Sequence, residues 1–397
     1  MAEPLSIGEA QRLILERVRP LAAESVRLAD AGGRILGEAA HAVVDLPPFA
    51  SSAMDGYAVR AADTPGRLPV VARIAAGRPA AAPLAPGEAM AIATGGVVPE
   101  GADAVIPLEF VVEQDNRLEI GEPVSPGANV RPRGGDSAVG SVVVEQGARL
   151  SPARLGALAA AGVAEISCAA RPRAAVVATG TELRQPGEAL RAGEIYEANS
   201  FVLAAQLASA GAVAERLEAV GDDEGAHRAA LSAALGADLV VTSGGVSVGP
   251  HDLVRGVAAE LGVEEVFWQV AVRPGKPIAF GVRGDTLVFG LPGNPVSTLV
   301  GFELFVRPAV LALQGAPEPL PRFERGTLSG TRPRNLARDE LVRARSRQME
   351  RGVLLEPLSG QESHMIARAA TADSLVLVPR GEGALAEGSP VDYLRLE

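Results

Sequence analysis

Three short loops near the middle of the chain carry the residue types that hold phosphates and hard metal ions. They are Thr179-Gly180-Thr181-Glu182-Leu183, Ser243-Gly244-Gly245-Val246-Ser247-Val248-Gly249-Pro250-His251-Asp252 and Gly290-Leu291-Pro292-Gly293-Asn294-Pro295. Glycine lets backbone N–H groups turn toward an anion, and a following helix N-terminus favours negative charge. The hydroxyls of Ser243 and Ser247 would add donors. One glycine loop is usually an ordinary tight connection; three in one region, two with a carboxylate, favour a ligand site. Glu182 and Asp252 follow glycine-rich turns, and Asp222-Asp223 follow the apolar run Leu217–Val220, read as a strand. Mg²⁺ prefers such oxygen ligands, often one or two carboxylates completed by substrate phosphates. Asp222-Asp223 alone would more often be a charge pair at a helix N-terminus. His41, His227, His251 and His364 lack metal spacing, so zinc is not expected, and His227 is placed on a helix surface. No Ser-His-Asp or Cys-His nucleophile can be assembled from these positions.

Lys276 is the only lysine among 37 basic residues. An arginine-biased composition explains the other 36 wherever either cation serves. One lysine kept in Arg273-Pro274-Gly275-Lys276-Pro277 marks a place where a compact ammonium, reaching a phosphate or oxyanion, does what a planar guanidinium cannot.

The elements that must position these groups follow from periodicity. Ser6-Ile7-Gly8-Glu9 has capping-box spacing ahead of an apolar stripe, and a second helix is expected from Leu28 to Ala40 despite Gly32-Gly33. From Asp45 to Asp136, short apolar runs such as Met90–Ala93 and Asp103–Pro107 alternate with Pro and Gly turns, which reads as β-rich. Val142–Val144 is a further strand, and Ser151-Pro152 starts a helix with a cap and a first-turn proline. In residues 171–317, strands (Ala174–Ala178, Leu239–Val241, Leu287–Phe289) alternate with helices (Phe201–Ala210, Glu224–Leu235, Asp252–Leu261, Pro295–Leu313), the pattern of a mostly parallel sheet with crossover helices. After Pro317, Pro319 and Pro321, the last stretch alternates short strands and turns as a small β-barrel would. The fold class is multidomain α/β plus β.

With 397 residues, 47% of them hydrophobic and 21% charged, the chain can bury several cores and is not disordered. Its net charge of −11 and lack of any basic run argue against nucleic acid or an anionic membrane. The lone Cys168 allows no internal disulfide. No uninterrupted apolar run reaches about 18 residues, and Met1-Ala2-Glu3-Pro4 has no basic or apolar leader, so a soluble cytoplasmic protein is expected.

Taken together, five ordered motifs resemble the molybdopterin molybdenumtransferase family, MoeA and the homologous E domain of gephyrin, over nearly the whole chain. They are Ser52-Ala53-Met54-Asp55-Gly56-Tyr57-Ala58, Thr94-Gly95 with Val98-Pro99-Glu100-Gly101-Ala102-Asp103, and Ser243–Gly249, followed by Arg273–Pro277 and Leu291–Ser297. The resemblance implies an elongated four-domain architecture. Residues 1–44 and 138–170 would form a discontinuous helical and short-strand domain, 45–137 an inserted β-rich domain, 171–317 the molybdopterin-binding α/β domain, and 318–397 a C-terminal β-barrel. It implies a homodimer whose cleft joins the α/β domain of one subunit to the β-rich domain of the other. The implied reaction inserts molybdate into adenylylated molybdopterin with Mg²⁺, giving molybdenum cofactor and AMP. A molybdopterin adenylyltransferase would stand upstream, and molybdoenzyme apoproteins or cofactor carriers downstream.

By matching position, the resemblance assigns Asp55, Thr94 and Asp136 to the β-rich contribution, and Glu182, Asp222 and Asp252 to a catalytic and metal-holding acidic set. Ser243, Gly244, Gly245, Ser247, Arg273, Lys276, Pro292, Asn294, Pro295 and Ser297 line the substrate, with Arg343 and Ser363 of the barrel associated with molybdate. Departures are Ser51 for a usual Asn, Arg273 for a usual Lys, Gln269 where some members place another lysine, and Ala367-Arg368 for a small hydroxyl pair. Two other readings compete: an adenylyltransferase or pyrophosphatase, because residues 171–317 also resemble molybdopterin adenylyltransferases and the CinA-type domain, and a scaffold like gephyrin's E domain.

Overall fold

A computed structural model of the chain describes residues 3–245 and 253–396, in two compact units: residues 25–168, and residues 1–24 together with 169–397.

The larger unit is built on a six-stranded sheet. Its strand order is Val213–Arg216, Arg173–Ala178, Leu239–Ser243, Thr286–Leu291, Ala279–Arg283, Glu264–Trp268. The first four run parallel and the last two are antiparallel additions at one edge. The strand expected at Leu217–Val220 is instead Val213–Arg216; beyond it the pairing continues through Leu217 N–H to the Val176 carbonyl and a bridge from Val220 to Thr179. Central strands such as Leu239–Ser243 are buried throughout, which is why they read as unbroken apolar runs rather than alternating ones. Helices Asn199–Ser209 and Pro295–Leu313 cover one face, and Glu224–Ala234 and Leu253–Glu260 the other.

The 19-residue helix Pro295–Leu313 is long and apolar enough to cross a membrane by length and composition, yet 72% of that stretch is buried in this core. Its turn Phe302–Val306 is π-helical. Against it packs the helix Ile7–Leu15, whose capping box forms as expected: Glu9 N–H donates to Ser6 Oγ, and Ser6 N–H to Glu9 Oε2. Gln11 Nε2 donates 2.9 Å to the Leu304 carbonyl. This first helix packs against the α/β core.

Five strands of the same unit close into a barrel, Glu324–Leu328, Asp339–Gln348, Val353–Pro357, Ser374–Val378 and Pro390–Arg395, each paired to two neighbours. Val272–Arg273 adds in parallel to the start of Asp339–Gln348.

The smaller unit holds a six-stranded sheet in the order Ala104–Pro107, Gly56–Val59, Ala89–Ile92, Gly66–Ile74, Arg117–Ile120, Val111–Gln114. The expected helix at Leu28–Ala40 is absent. A single 3₁₀ turn at Leu28–Asp30 ends at Gly32-Gly33, where Gly33 takes φ +74°, a conformation glycine adopts without strain and a helix cannot use. Helix Pro152–Ala160 forms as expected, with Ser151 Oγ as its cap.

Candidate active site

Chain order sets the place of the site. From Arg173–Ala178 the chain crosses to Val213–Arg216 on one side, then returns to Leu239–Ser243 on the other. The carboxyl ends of these two strands flank a topological switch point, where open α/β sheets bind ligands.

The loops meet there. Thr179 N–H donates 2.9 Å to the Ser243 carbonyl, and Gly180 N–H 2.9 Å to that of Val220. A Cβ at Gly244 would lie 2.6 Å from both Thr179 O and Thr179 Oγ1, so the second loop reaches the first only because that position is glycine. Gly293 lies against Gly244, and Gly275 against Ser297. Thr181 Oγ1 donates 3.1 Å to Asp222 Oδ2, and Glu182 folds its carboxylate back over Gly180. Glu182 and Asp222, both exposed, thus sit on adjoining loops. Asp252 and Ser247 fall outside the described residues. Among the described residues, no cluster of three or more His, Cys, Asp or Glu side chains is arranged to hold a metal.

Several expected ligand groups are committed to holding the loops. Gly244 N–H donates to the Leu291 carbonyl, leaving it unable to face an anion. Ser243 is 2% exposed; its Oγ accepts from Asn199 Nδ2 at 2.7 Å and donates to Pro292 O at 3.3 Å. Pro292 O also takes the Thr298 hydroxyl at 2.7 Å, and Ser297 is buried. Among the described residues, Gly245 and Asn294 remain open, and the Asn294 side chain makes no cap bond to the helix that Pro295 begins.

Asn199 belongs to none of the motifs that the sequence displays. Its Nδ2 donates 2.7 Å to Ser243 Oγ and 2.7 Å to Gly293 O, tying the second and third loops. An Asn ahead of a helix normally signals a cap, but here the N-cap is Ala198, and the Asn199 side chain is free to reach across. Beneath it, buried Glu197 accepts from Ser200 N–H and Oγ, fixing the turn. His227, expected on a surface, is 2% exposed: its helix packs on the sheet with that face inward, and Nδ1 lies 2.9 Å from Asp223 O.

The barrel contributes from one side. Arg343 is 1% exposed, its guanidinium donating to the carbonyls of Met365, Gly360 and Glu362. Burial lowers its pKa below the ordinary arginine value. Arg368 donates to Ser359 O and Oγ, so two arginines clamp the loop that carries Ser363. The Ser363 carbonyl receives Val296 N–H at 3.0 Å, capping the helix of the third loop. Arg273, paired to Glu340 at 2.8 Å, faces the barrel, whereas Lys276 is exposed and lines a separate hollow.

In the smaller unit, Gly56 pairs with Ile92 across antiparallel strands, bringing Asp55 opposite the turn after the neighbouring strand. Thr94 N–H donates 2.7 Å and Thr94 Oγ1 3.0 Å to Asp55 Oδ1, which lowers the Asp55 pKa and keeps it ionised. A Cβ at Gly56 would lie 2.0 Å from Ile106 O, so this register requires glycine. Asp136 sits in the turn pinned by its N–H to the Leu46 carbonyl; none of its described hydrogen bonds or ion pairs reaches Asp55 or Thr94.

Residues 5–162 match the MoeA N-terminal region (domain I and II), 175–312 the probable molybdopterin binding domain, and 325–396 the MoeA C-terminal region (domain IV). A relative from Mycobacterium tuberculosis, molybdopterin molybdenumtransferase 2, is 37% identical over 97% of this chain and 98% of its own length. The chain belongs to the molybdopterin molybdenumtransferase family. The Bacillus subtilis molybdopterin molybdenumtransferase is 32% identical over 98% of this chain and 94% of its own. A molybdopterin biosynthesis MoeA protein from Pyrococcus horikoshii superposes with a TM-score of 0.84 at 31% identity, covering 99% of both chains. Membership in this family accounts for the closed barrel and the α/β unit on one chain.

Proposed function

We propose that the chain inserts molybdenum from molybdate into adenylylated molybdopterin, releasing molybdenum cofactor and AMP, within molybdenum cofactor biosynthesis. The observation that carries this reading is the meeting of the Thr179–Glu182, Gly221–Asp222, Ser243–Gly245 and Pro292–Pro295 loops at the switch point, in a chain whose full-length relatives bear that activity's name.

Glu182 and Asp222, with Asp252, form the acidic set. Exposed carboxylates on adjoining loops are the hard oxygen donors that Mg²⁺ takes, so the residues present fit that ion. When bound, it supplies positive charge to phosphoanhydride oxygens. The protein's own groups then orient the substrate: Gly245 N–H and the Asn294 amide face the ligand, and the Asn199 bonds hold their loops at fixed separation. Lys276 and Arg273 are the anion-binding cations; Arg343 holds the Ser363 loop in place for the molybdate side. Asp55, Thr94 and Asp136 are the contribution of the second subunit in a cytoplasmic homodimer. The domain limits proposed are 1–44 with 138–170, 45–137, 171–317 and 318–397.

Mass spectrometry of the pterin released after incubation with adenylylated molybdopterin, Mg²⁺ and molybdate tests the reading. Molybdenum-bearing pterin with equimolar AMP is expected; in a separate incubation with ATP and molybdopterin, net transfer of AMP onto molybdopterin would replace it with the adenylyltransferase reading. Mixed heterodimers of Asp55→Ala and Asp252→Ala chains should recover activity, and no recovery after verified subunit exchange removes the shared site.

A further inference from the structure

Lys276, Arg338 and Arg380 line one hollow of about 670 Å³, walled by Glu3, Pro4, Ala271, Leu336 and Ala337. None of the three cations has a carboxylate within ion-pair distance among the described residues, whereas Arg273 nearby is paired with Glu340. The opposing charges are few: Glu3 lines the wall unpaired, Glu9 on the first helix feels Arg380, and the Asp339 carboxylate accepts the Arg380 backbone N–H at 2.8 Å.

The three backbones are fixed. Arg338 N–H donates 3.0 Å to Asn335 Oδ1, and the Lys276 carbonyl receives both Val270 N–H and Ile278 N–H. Leu5 N–H donates to Gln269 O and Leu5 O receives Ala271 N–H, laying the N-terminal segment along the wall. Gathering like charges costs free energy unless a counter-ion joins them, and this chain carries an excess of carboxylates that could have served. The hollow has the size of small-molecule sites, and Leu336, 73% exposed, offers apolar surface beside the charges.

We propose that this hollow binds an organic phosphate monoester, its phosphate held by Lys276, Arg338 and Arg380 and its organic part against Pro4 and Leu336. The site shares Lys276 with the reaction proposed above but needs neither carboxylate loop. Free inorganic oxyanion offers the same charge chemistry without the apolar part, and the test separates the two.

Because Lys276 is the only lysine, an amine-directed reagent reports on this hollow alone among side chains. The full chain is treated with pyridoxal 5′-phosphate or with pyridoxal, reduced with borohydride, and the Lys276 peptide quantified by mass spectrometry. Pyridoxal phosphate should label Lys276 about tenfold faster, since charge-assisted contacts reach that size, and the ratio should fall toward one in Arg338→Gln/Arg380→Gln. Phenyl phosphate, a monoester the proposed reaction neither uses nor releases, should protect Lys276 at concentrations where inorganic phosphate does not. Asp222→Asn should leave the ratio unchanged, separating this site from the loop cluster. A ratio near one in the parent chain, or an unchanged ratio in the double variant with its thermal midpoint retained, overturns the proposal. Equal protection by inorganic phosphate overturns the organic ligand. Should the double variant not fold, Arg338→Gln and Arg380→Gln separately read the same ratio.

Discussion

Arg343 and the Lys276 hollow are both cationic places beside the barrel, and they are opposites. Arg343 is sealed in, with three carbonyls taking its guanidinium hydrogens; Lys276, Arg338 and Arg380 stand around open space with no ion-pair partner among the described residues. A sequence shows that a side chain is cationic. Whether the charge is consumed in building a loop or left available to a ligand depends on carbonyls and carboxylates brought in from distant segments. The first kind of cation answers to stability, the second to ligands.

That difference orders the expected effects. Arg343→Ala removes the three guanidinium bonds to the Gly360, Glu362 and Met365 carbonyls and opens a cavity; a loss of about 3 kcal/mol in urea unfolding is expected. A loss under about 0.5 kcal/mol, the range of ordinary surface changes, would move Arg343 to the available kind. Lys276→Arg should leave stability unchanged and slow molybdenum transfer by at least about tenfold, equivalent to about 1.4 kcal/mol in the barrier. Lys276→Ala should slow it further, and parental turnover in Lys276→Arg would make the sole lysine an accident of composition.

The carboxylates extend the comparison. Thr94→Val removes one of two bonds to Asp55 Oδ1 and keeps the backbone N–H, so the Asp55 pKa should rise part-way to the ordinary aspartate value of about 3.9. Since the native value is depressed, the stabilisation from Asp55 is present above about pH 3.9 and is lost as pH falls through the native value. In Thr94→Val that loss should be smaller and complete at higher pH, and carbon-detected NMR titration reads the raised Asp55 pKa directly. The smallest effect is expected for Arg338→Gln and Arg380→Gln: thermal unfolding without ligand should hold steady or shift slightly upward as like charges separate.

Strands and helices with strong periodicity were legible, because burial on both faces leaves an unbroken apolar run and amphipathic helices leave a stripe. The Leu28–Ala40 helix was misread because apolar spacing survived while Gly33 needed a left-handed turn. His227 was misplaced because a histidine carries no sign of which helix face packs on the sheet. The glycine loops were found from composition, but their internal division of labour was not. Nothing in Ser243-Gly244 announces that its hydroxyl and N–H are taken by Pro292 and Leu291, and nothing in Glu197-Ala198-Asn199 shows an amide spanning two loops. Those bonds join residues 44 to 94 positions apart, a separation that local patterns do not encode.

The bond from Val296 N–H to the Ser363 carbonyl links the mouth of the α/β helix to a barrel loop. An amide this early in a helix has no partner within its own helix and would exchange with solvent freely if the loop withdrew. Deuterium uptake at Val296 is therefore a clock for excursions of the Ser363 loop, reported from the opposite side of the contact. A ligand that quiets that loop would slow the clock without touching the helix.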